Sequence, residues 1–489
     1  MKVSSTSLHK YELVVGLEVH AQLSTKSKIF SSDSASFGAE PNHHVSPVSL
    51  GLPGTLPKVN QKVVEYAVKM GLATNCSINA INRFDRKNYF YADLPKGYQI
   101  TQDEAPICIQ GYLKIKLKNQ EEKVIRINRI HMEEDAGKSL HDKDAKYSLI
   151  DLNRAGVPLI EIVSEPDLRS AEEAAAFLAS IRQLVRYLEI CDGNMEEGSL
   201  RCDANISVRL RGAESYGNRC EVKNLNSLKS IQKAINYEFK RQVEELEAGR
   251  NIEQNTLNFD AATGVTSVLR SKEMAYDYRY FPEPDIPPLH LTEEWIKELK
   301  AQLPELPETR IQRYMTDYSL SEYDAGVLTT EKAVADFFEE IIKYTSNYKA
   351  STNWLIGTVQ SFLNEHNKSI SELPITAKSI ADIISLIDEG VISNSAATQQ
   401  LFPALLNNLD KDMMQIVKDL NLMIDADTDV MGKCIEDVIS QYPEKVIEYN
   451  NGKKAVLGLF MGEVMRLTKG KIDPKVANGK IIKKLESLK

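Results

Sequence analysis

Residues 199–211 read SLRCDANISVRLR, with apolar and polar side chains in strict alternation. A period of two is typical of a β-strand that buries one face. The buried face is predicted to consist of Leu200, Cys202, Ala204, Ile206, Val208 and Leu210. The opposite face carries Arg201, Asp203 and Asn205, which are groups that bind ions and phosphates as well as water. This face is therefore the first candidate for a functional surface.

Three other segments place charged residues on strand faces in the same way. Residues 11–20, YELVVGLEVH, are mostly apolar and end in Glu18 and His20, which share a face. Residues 124–135, VIRINRIHMEED, end with His131, Glu133 and Asp135 on one face and Glu134 on the other, and CEVKN at 220–224 places Glu221 and Lys223 together. Convergence of these strands predicts one acidic site, a candidate metal and phosphate centre. The alternative is a solvated sheet face with ordinary ion pairs, because charge is normal on protein surfaces.

Length and composition favour a folded protein with more than one domain. A chain of 489 residues is too long for one hydrophobic core, so we expect about two or three domains. It has no apolar run near the roughly 18–20 residues of a membrane span and no N-terminal targeting pattern, so we expect a soluble, cytoplasmic protein. Its six cysteines form no CxxC pair, which argues against a zinc or redox motif and favours reduced, buried thiols.

The charge distribution indicates where nucleic acid can bind. A net charge of −9 argues against a protein that coats nucleic acid non-specifically. Residues 451–489, however, contain ten Lys and Arg against three Asp and Glu. This basic tail is a candidate binding surface.

The order of predicted elements indicates an α+β domain followed by helices. Residues 24–60 are predicted to be long loops, whereas residues 61–72, 170–190 and 228–248 have helical spacing. Ser170 and Glu173 form a capping-box pattern at the start of the second helix. Residues 276–289 contain four prolines and predict an extended boundary segment. Beyond residue 292 the strand signals vanish, so the remainder is predicted to be helical.

A second cluster of chemistry-bearing residues lies at 84–102, FDRKNYFYADLPKGYQITQ. It has neither a helical nor an alternating pattern, so it is predicted to be a loop whose cations and rings can hold phosphates and stack a base. An ordinary packed, tyrosine-rich loop is the alternative. Gly137, Lys138 and Ser139 resemble the end of a P-loop, but Met132 stands where the first glycine is required, which excludes a Walker nucleotide site.

Seven motifs, taken together, resemble the B subunits of the tRNA-dependent amidotransferases, which convert Glu-tRNA(Gln), and in many organisms Asp-tRNA(Asn), to the amidated forms. They are VVGLEVHAQL, FDRKNYFYADLPKGYQITQ, HMEEDAGKS, DLNRAGVPLIEIVSEPD, MEEGSLRCDANIS, EVKNLNS and DYRYFPEPDIPPL, and they span residues 14–289 in the family's order. The related archaeal E subunits carry an inserted domain for which this chain has no room, so the B subunits are the better match.

The resemblance implies an α+β cradle domain at residues 1–292, built on a mixed or antiparallel sheet. An all-α helical domain at 293–408 and a small α-helical tail domain at 409–489 would follow and hold the tRNA. The cradle domain is expected to use ATP to phosphorylate the side-chain carboxylate of the misacylated tRNA.

The resemblance also implies the residues of the site. The family's divalent-ion site, for Mg²⁺ or Mn²⁺, falls on Glu18, His20, Glu133, Glu134, Asp203 and Glu221. The expected catalytic residues are Glu18, His20, Glu134, Asp203 and Glu221. Alternation places Glu133 and Glu134 on opposite faces, so a local bend is required if both bind the ion. By charge and position, Lys87, Lys96 and Arg201 are expected to bind the phosphates of ATP.

Ammonia must come from a partner, because the sequence has no glutaminase cysteine context and no Gly-Gly-Ser-rich amidase signature. The resemblance implies that a glutaminase A subunit supplies it and that a small C subunit completes a heterotrimer. A second hypothesis stays open at this point. In it the chain is a non-catalytic scaffold that binds tRNA, its acidic cluster stabilises the fold, and the chemistry belongs to the partner.

Overall fold

The computed structural model describes residues 5–117, 121–140, 146–271, 278–424, 428–468 and 474–488. The chain forms two compact units, residues 1–307 and residues 308–489. In the described residues, the first unit contains all the named strands and the second is built from helices. An α+β domain followed by a helical region is therefore confirmed.

The strands of the first unit form one large sheet and three small ones. They are β1 Tyr11–Gln22, β2 Ser77–Ile78, β3 Ile81–Asn82, β4 Asp85–Asn88, β5 Tyr98–Thr101, β6 Cys108–Lys116, β7 Glu122–Glu134, β8 Lys138–Leu140, β9 Leu149–Asp151, β10 Pro158–Ser164, β11 Leu200–Leu210, β12 Cys220–Lys223, β13 Asn255–Asp260, β14 Val265–Ser271, β15 Phe281–Pro282 and β16 Leu289–His290. The large sheet has nine described strands in the order β14-β13-β12-β11-β1-β10-β7-β6-β2. β12 and β13 run parallel and the other described neighbours are antiparallel, so the sheet is mixed, as predicted.

The large sheet has one apolar face and one polar face. The helices of the first unit are α1 Ser5–Lys10, α2 Gln61–Ala73, α3 Ala171–Tyr187, α4 Leu228–Glu247 and α5 Glu293–Ala301. The apolar face packs with α2, α3 and α4 into one hydrophobic core, in which Val15, Leu17 and Val19 are at most 1% exposed. The predicted buried face of residues 199–211 is confirmed from Leu200 to Val208. Leu210 is 55% exposed, because β11 ends there in a turn.

The three predicted helices are confirmed as α2, α3 and α4, but the capping box is only half formed. Ser170 Oγ accepts a hydrogen bond from Glu173 N (3.1 Å), which caps the first turn of α3. The Glu173 carboxylate does not bond back to Ser170. It accepts from Arg169 N (2.7 Å) and from Lys123 Nζ (2.7 Å), so the side chain also ties α3 to β7.

The prediction of a loop over residues 84–102 was wrong in part. β4 and β5 pair with each other, and β15 adds to β4 as the third strand of a small sheet. Arg86 supports this arrangement, because its guanidinium binds Glu283 through Nε (2.7 Å) and Nη2 (2.9 Å) and lies 4.2 Å from the centre of the Tyr98 ring. The partner strand is distant in sequence, so local periodicity carried no signal for it.

The predicted boundary segment at 276–289 is attached to the first unit. β15 pairs with β4, and β16 pairs with β3. Residues 276 and 277 lie outside the described residues. The segment is therefore extended as predicted, and two short strands bind it to the cradle domain.

The second unit contains two separate hydrophobic clusters within its described residues. Its helices, from the boundary onward, are α6 Pro307–Asp317, α7 Glu322–Leu328, α8 Lys332–Ile341, α9 Tyr348–Asn353, α10 Gln360–Glu365, α11 Ala377–Asp388, α12 Asn394–Ala396, α13 Phe402–Asn407, α14 Met413–Asp419, α15 Thr428–Gln441, α16 Pro443–Asn450, α17 Leu457–Leu467 and α18 Pro474–Glu486, with π-helical turns at Trp354–Val359 and Ala397–Leu401 and 3₁₀ turns at Ile370–Glu372 and Lys454–Val456. The first cluster reaches Ile416, Val417 and Leu422, beyond the predicted boundary at 408, and the second runs from Met431 to Leu485.

Two compositional expectations concern cysteines and membrane helices. All six cysteines are free thiols, of which five are buried and Cys434 is half-buried, so the expectation of reduced thiols is confirmed. Among the described helices, none is both long enough and apolar enough to span a bilayer.

Candidate active site

Neighbouring strands bring most of the predicted acids together on the polar face of the large sheet. β1 lies between β10 and β11. Its register places Glu18 opposite Asp203, and His20 opposite both Arg201 and Glu161. Since alternate residues of a strand share a face, Glu18 and His20 project beside side chains of β7, β10, β11 and β12. The result is two adjacent groups of metal-ligating side chains.

The Glu18 group consists of Glu18, Asp203 and Glu221. One oxygen from each carboxylate lies within 4.8 Å of the other two. Asn205 Nδ2 donates to Glu18 Oε1 (2.8 Å), and Lys223 Nζ lies 2.6 Å from an oxygen of both Asp203 and Glu221. Three carboxylates thus converge on one space, with a single ammonium group beside them.

The charges of the Glu18 group are unbalanced. Burial raises the pKa of Glu18, and the nearby carboxylates of Glu161 and Glu221 raise that pKa further. Burial alone would lower the pKa of Lys223, but Asp203 and Glu221 raise it. For Lys223 the direction reflects the neighbouring negative charge, and for Glu18 that charge adds to the larger effect of burial. A hard divalent cation would neutralise the excess negative charge, and carboxylate oxygens are its preferred ligands.

The His20 group consists of His20, Glu133 and Glu161, contributed by β1, β7 and β10. Their ligating atoms also lie within 4.8 Å of one another. His20 Nε2 is 3.4 Å from Glu161 Oε2 and 3.7 Å from Glu133 Oε1. His131 approaches the same acids, with Nε2 at 3.3 Å from Glu161 Oε2 and 3.7 Å from Glu133 Oε2. Two carboxylates therefore lie between two imidazoles.

The imidazoles keep these carboxylates ionised. Burial alone would raise the pKa of Glu161, but His131 and His20 hold it well below its usual value. Burial lowers the pKa of His131, while Glu161 and Glu133 outweigh burial and raise that pKa to about 9. The acids of the His20 group are therefore negatively charged at neutral pH. The same acids raise the pKa of His20, although burial would lower it, so a cation bound by His20 would have to displace a proton from its imidazole.

Glu134 belongs to neither group. β7 remains regularly paired with β10 through its last two residues, so the bend that Glu133 and Glu134 would need is absent. Glu134 shares a face with buried Met132, and its carboxylate accepts hydrogen bonds from Lys96 Nζ (2.5 and 2.7 Å) and Ile100 N (2.9 Å). Glu134 and Lys96 line a separate cavity of about 70 Å³. Strand alternation thus places Glu134 on the opposite face of the sheet from the other five predicted ligands. Lys96, which binds Glu134, is separated from them in the same way.

The other two predicted phosphate-binding cations lie close to the His20 group. Arg201 is paired with His20 across β1 and β11, and its Nη2 donates to Asp135 Oδ2 (2.9 Å). Burial alone would lower the pKa of Lys87, but the carboxylate of Glu133 raises it. Both cations are thus held beside the carboxylates that would bind a metal.

Sequence reasoning did not assign roles to Glu161, which belongs to the His20 group. It also assigned none to His131 and Lys223, which contact the acids of the two groups. Glu161 is the one acid in the strand PLIEIVS, residues 158–164. An acid in the middle of a buried strand is the same signal that identified Glu18 and Asp203. Glu161 was therefore recognisable as a candidate from its own strand. The sequence did not indicate which residues would lie beside it.

Comparison with known proteins agrees with this architecture. The family described as "GatB/GatE catalytic domain" matches residues 13–297, and the family described as "GatB domain" matches residues 336–485. Proteins named as the B subunit of an aspartyl/glutamyl-tRNA(Asn/Gln) amidotransferase are similar over nearly the whole chain. The protein of Caldicellulosiruptor bescii is 48% identical over 98% of this chain and 100% of its own length. That of Thermodesulfovibrio yellowstonii is 48% identical over 98% and 100%, and that of Syntrophotalea carbinolica is 49% identical over 97% and 99%. The chain therefore belongs to the B-subunit family of the aspartyl/glutamyl-tRNA amidotransferases, which are multi-subunit enzymes of the ligase class.

Proposed function

We propose that this chain uses ATP to activate the side-chain carboxylate of misacylated Glu-tRNA(Gln), Asp-tRNA(Asn) or both. A carboxylate oxygen attacks the γ-phosphorus of ATP, the bond to the bridging oxygen breaks, and ADP leaves. Ammonia then attacks the carbonyl carbon of the acyl phosphate, phosphate leaves, and the amide forms with loss of a proton. The observation that carries the proposal is the pair of ligating groups, the Glu18 group and the His20 group, side by side on one sheet face.

The residues present fit divalent cations. The Glu18 group offers carboxylate oxygens, which suit Mg²⁺, and the His20 group adds one imidazole nitrogen, which suits Mg²⁺ or Mn²⁺. A bound cation supplies charge neutralisation for the phosphates, which is the main requirement of phosphoryl transfer. The unbalanced charge of the Glu18 group supports this assignment, because three converging carboxylates are costly without a counter-ion.

Three cationic side chains of this chain lie close to the ligating groups. Lys87 and Arg201 lie beside the His20 group, where they can hold phosphate oxygens, and Lys223 lies within the Glu18 group. Asp135 orients the Arg201 guanidinium through their 2.9 Å hydrogen bond. Lys96 is held by Glu134 on the other face, so we do not include it among the phosphate ligands.

Partners supply what this chain lacks. We propose that a glutaminase A subunit delivers ammonia to the polar face and that a small C subunit completes a heterotrimer with misacylated tRNA as substrate. The names of the relatives, which specify one lettered component of a larger enzyme and two tRNA substrates, support this proposal. No membrane is involved in the proposed reaction.

The first test is the dependence of ATP consumption on substrate. The complete enzyme is incubated without glutamine, with hydroxylamine present to trap an acyl phosphate. ADP and a hydroxamate at the side-chain carboxyl of the glutamyl or aspartyl group should form together, and only when both Mg²⁺ and misacylated tRNA are present. The hydroxamate at the α-carboxyl, which hydroxylamine forms by cleaving the ester to tRNA, is separated from it and not counted. Correctly acylated tRNA is the control. Amidation without ADP formation, when the same enzyme is supplied with glutamine, would contradict the proposed use of ATP.

The basic tail provides a prediction on tRNA binding. The first hydrophobic cluster of the second unit includes Ile416, Val417 and Leu422, so a cut after residue 424 preserves that core whereas a cut after 410 removes part of it. In the complete enzyme, truncation after residue 424 should weaken tRNA binding about tenfold. The slope of affinity against salt concentration should also flatten, because fewer phosphate contacts release fewer counter-ions.

Filter binding at several salt concentrations measures both effects. Mn²⁺ binding by the truncated enzyme is the control, since the ligating groups lie in the first unit. Unchanged tRNA affinity and an unchanged salt slope would show that the tail does not bind tRNA.

A further inference from the structure

Two arginines meet on one buried carboxylate at the end of the polar face, beyond the His20 group. Asp135 directly follows β7, and its Oδ2 atom accepts hydrogen bonds from Gln22 Nε2 (2.8 Å) and Arg201 Nη2 (2.9 Å). Arg154 Nε lies 3.6 Å from the same oxygen. Asp135 is only 4% exposed, so it holds the two guanidinium groups side by side. We refer to Arg154, Arg201 and Asp135 as the arginine cluster.

Hydrogen bonds to the main chain fix Arg154 in this position. It lies on the loop between β9 and β10, and Gly156 of the same loop donates its N–H to Asp135 O (2.9 Å). Arg154 Nε and Nη2 donate to the carbonyl oxygens of Ala136 (2.9 Å) and Gly137 (2.8 Å). The guanidinium is therefore held in one orientation, although 37% of the side chain is exposed.

Both arginines keep donors that no described residue uses. A guanidinium carries N–H groups on all three of its nitrogens. Within the described part of the chain, Arg201 uses only Nη2, and Arg154 uses Nε and one N–H of Nη2. Arg154 thus retains the outer edge formed by Nη1 and the second N–H of Nη2. Since two positive charges face one negative charge, the arginine cluster is suited to bind an anion.

The arginine cluster lies where an attacking carboxylate would approach the metal-bound phosphate. Glu18, His20 and Gln22 follow one another on the polar face of β1 at a spacing of about 7 Å. The two ligating groups take the first two positions, and the cluster takes the third. In phosphoryl transfer the attacking and leaving oxygens lie roughly in line through phosphorus. A carboxylate bound at the cluster would therefore face a phosphoryl group held at the ligating groups.

We propose that Arg154 binds the side-chain carboxylate of the misacylated amino acid, and that Asp135 sets the distance between this carboxylate and the phosphate held by Arg201. The inference rests on the proposed function. The carboxylate and the γ-phosphate repel each other, so the carboxylate needs a cation of its own. A guanidinium donates two parallel hydrogen bonds to a carboxylate but not to an amide, which has only one acceptor oxygen. Arg154 would therefore distinguish the substrate from the amidated product.

Equilibrium binding of two aminoacyl forms of one tRNA tests the inference in the complete enzyme, with Mg²⁺ present and ATP absent. The ligands are the misacylated tRNA and the same tRNA carrying the amidated amino acid, with uncharged tRNA as the reference. Wild-type enzyme should bind the carboxylate form about tenfold more tightly than the amide form. In Arg154→Gln this ratio should fall below about twofold, whereas the affinity for uncharged tRNA should be unchanged.

Asp135→Asn tests the positioning role, because an amide no longer neutralises the two guanidinium groups. The affinity ratio should fall as in Arg154→Gln. A general loss of structure would instead lower both affinities by one factor and leave their ratio unchanged. Arg241→Gln is the matched control, since Arg241 on α4 is 32% exposed and is held by buried Glu238 at 2.8 and 2.9 Å, behind the apolar face. Its ratio should equal that of the wild type.

Three results would overturn the inference. In the first, Arg154→Gln keeps the wild-type ratio. In the second, Arg154→Gln binds all three forms of the tRNA more weakly by one factor, as expected for a contact with a tRNA phosphate. In the third, wild-type enzyme binds the two aminoacyl forms equally. The proposed function fails on a different result, a wild-type enzyme that forms no ADP with misacylated tRNA, so the two failures are distinguishable.

Discussion

Replacing Glu18 or Asp203 with alanine should lower the amidation rate of the complete enzyme by about 10²–10³-fold and leave its tRNA affinity unchanged. Each change removes one of the three carboxylates whose oxygens lie within 4.8 Å of one another. Loss of Asp203 also leaves Lys223, whose Nζ is 2.6 Å from Asp203 and from Glu221, with Glu221 alone as its partner in the group. With one ligand fewer, the group would hold less tightly the cation that neutralises the phosphate charge. Single-turnover amidation and filter binding of tRNA measure the two quantities.

Glu65→Gln is the matched control. Glu65 lies on α2, on the opposite side of the sheet, and pairs with Lys62 and Lys69 at 2.8 Å. Surface pairs of this kind contribute about 0–1 kcal/mol, so activity should be normal. Thermal unfolding of each variant shows whether it is folded. Full amidation by folded Glu18→Ala and Asp203→Ala enzymes would show that the Glu18 group has no catalytic role, as the scaffold hypothesis requires.

Replacing Glu161 with glutamine should weaken Mn²⁺ binding by about 10- to 100-fold, whereas Glu134→Gln should leave Mn²⁺ binding unchanged. Glu161 contributes an oxygen to the His20 group, and Glu134 instead binds Lys96 on the other face of β7. Mn²⁺ is a useful probe because the single imidazole of the His20 group favours it slightly. Electron paramagnetic resonance of free Mn²⁺ gives the affinity without any need for turnover.

The pair Glu161→Gln and Glu134→Gln is chosen because sequence and structure disagree about it. Both substitutions replace a carboxylate by an amide of nearly the same shape, so differences in folding are minimised. If Glu134→Gln weakened Mn²⁺ binding and Glu161→Gln did not, Glu134 would be an ion ligand, as the resemblance implies, and Glu161 would not be one.

The polar face of the large sheet could be predicted from local pattern alone. Alternation in residues 199–211 determined which side chains share a face with Asp203, and the same rule linked Glu18 to His20. It also predicted that Glu133 and Glu134 point to opposite sides, which the structure shows. The resemblance placed both residues in the ion site, and the structure brings Glu133, but not Glu134, together with His20 and Glu161.

Pairing between distant segments could not be predicted in this way. The strand at 281–282 converts part of the predicted loop at 84–102 into a sheet, and no local signal in either segment indicates the other. The same limit applies to the Glu18 group, in which Glu18 and Asp203 meet only because β1 and β11 pair in one register. A shift by one residue would have placed these side chains on opposite faces.

The sequence by itself determined the α+β class, the main helices and the faces on which charged residues lie, because these depend on periodicities within a single element. Only the tertiary structure decided that the acids divide into two groups, that Glu161 lies in the His20 group whereas Glu134 binds Lys96, and that a cavity opens beside Glu18. Those features depend on strand order, register and the point at which β10 leaves β1. They arise from long-range backbone pairing, which a one-dimensional pattern of side chains does not specify.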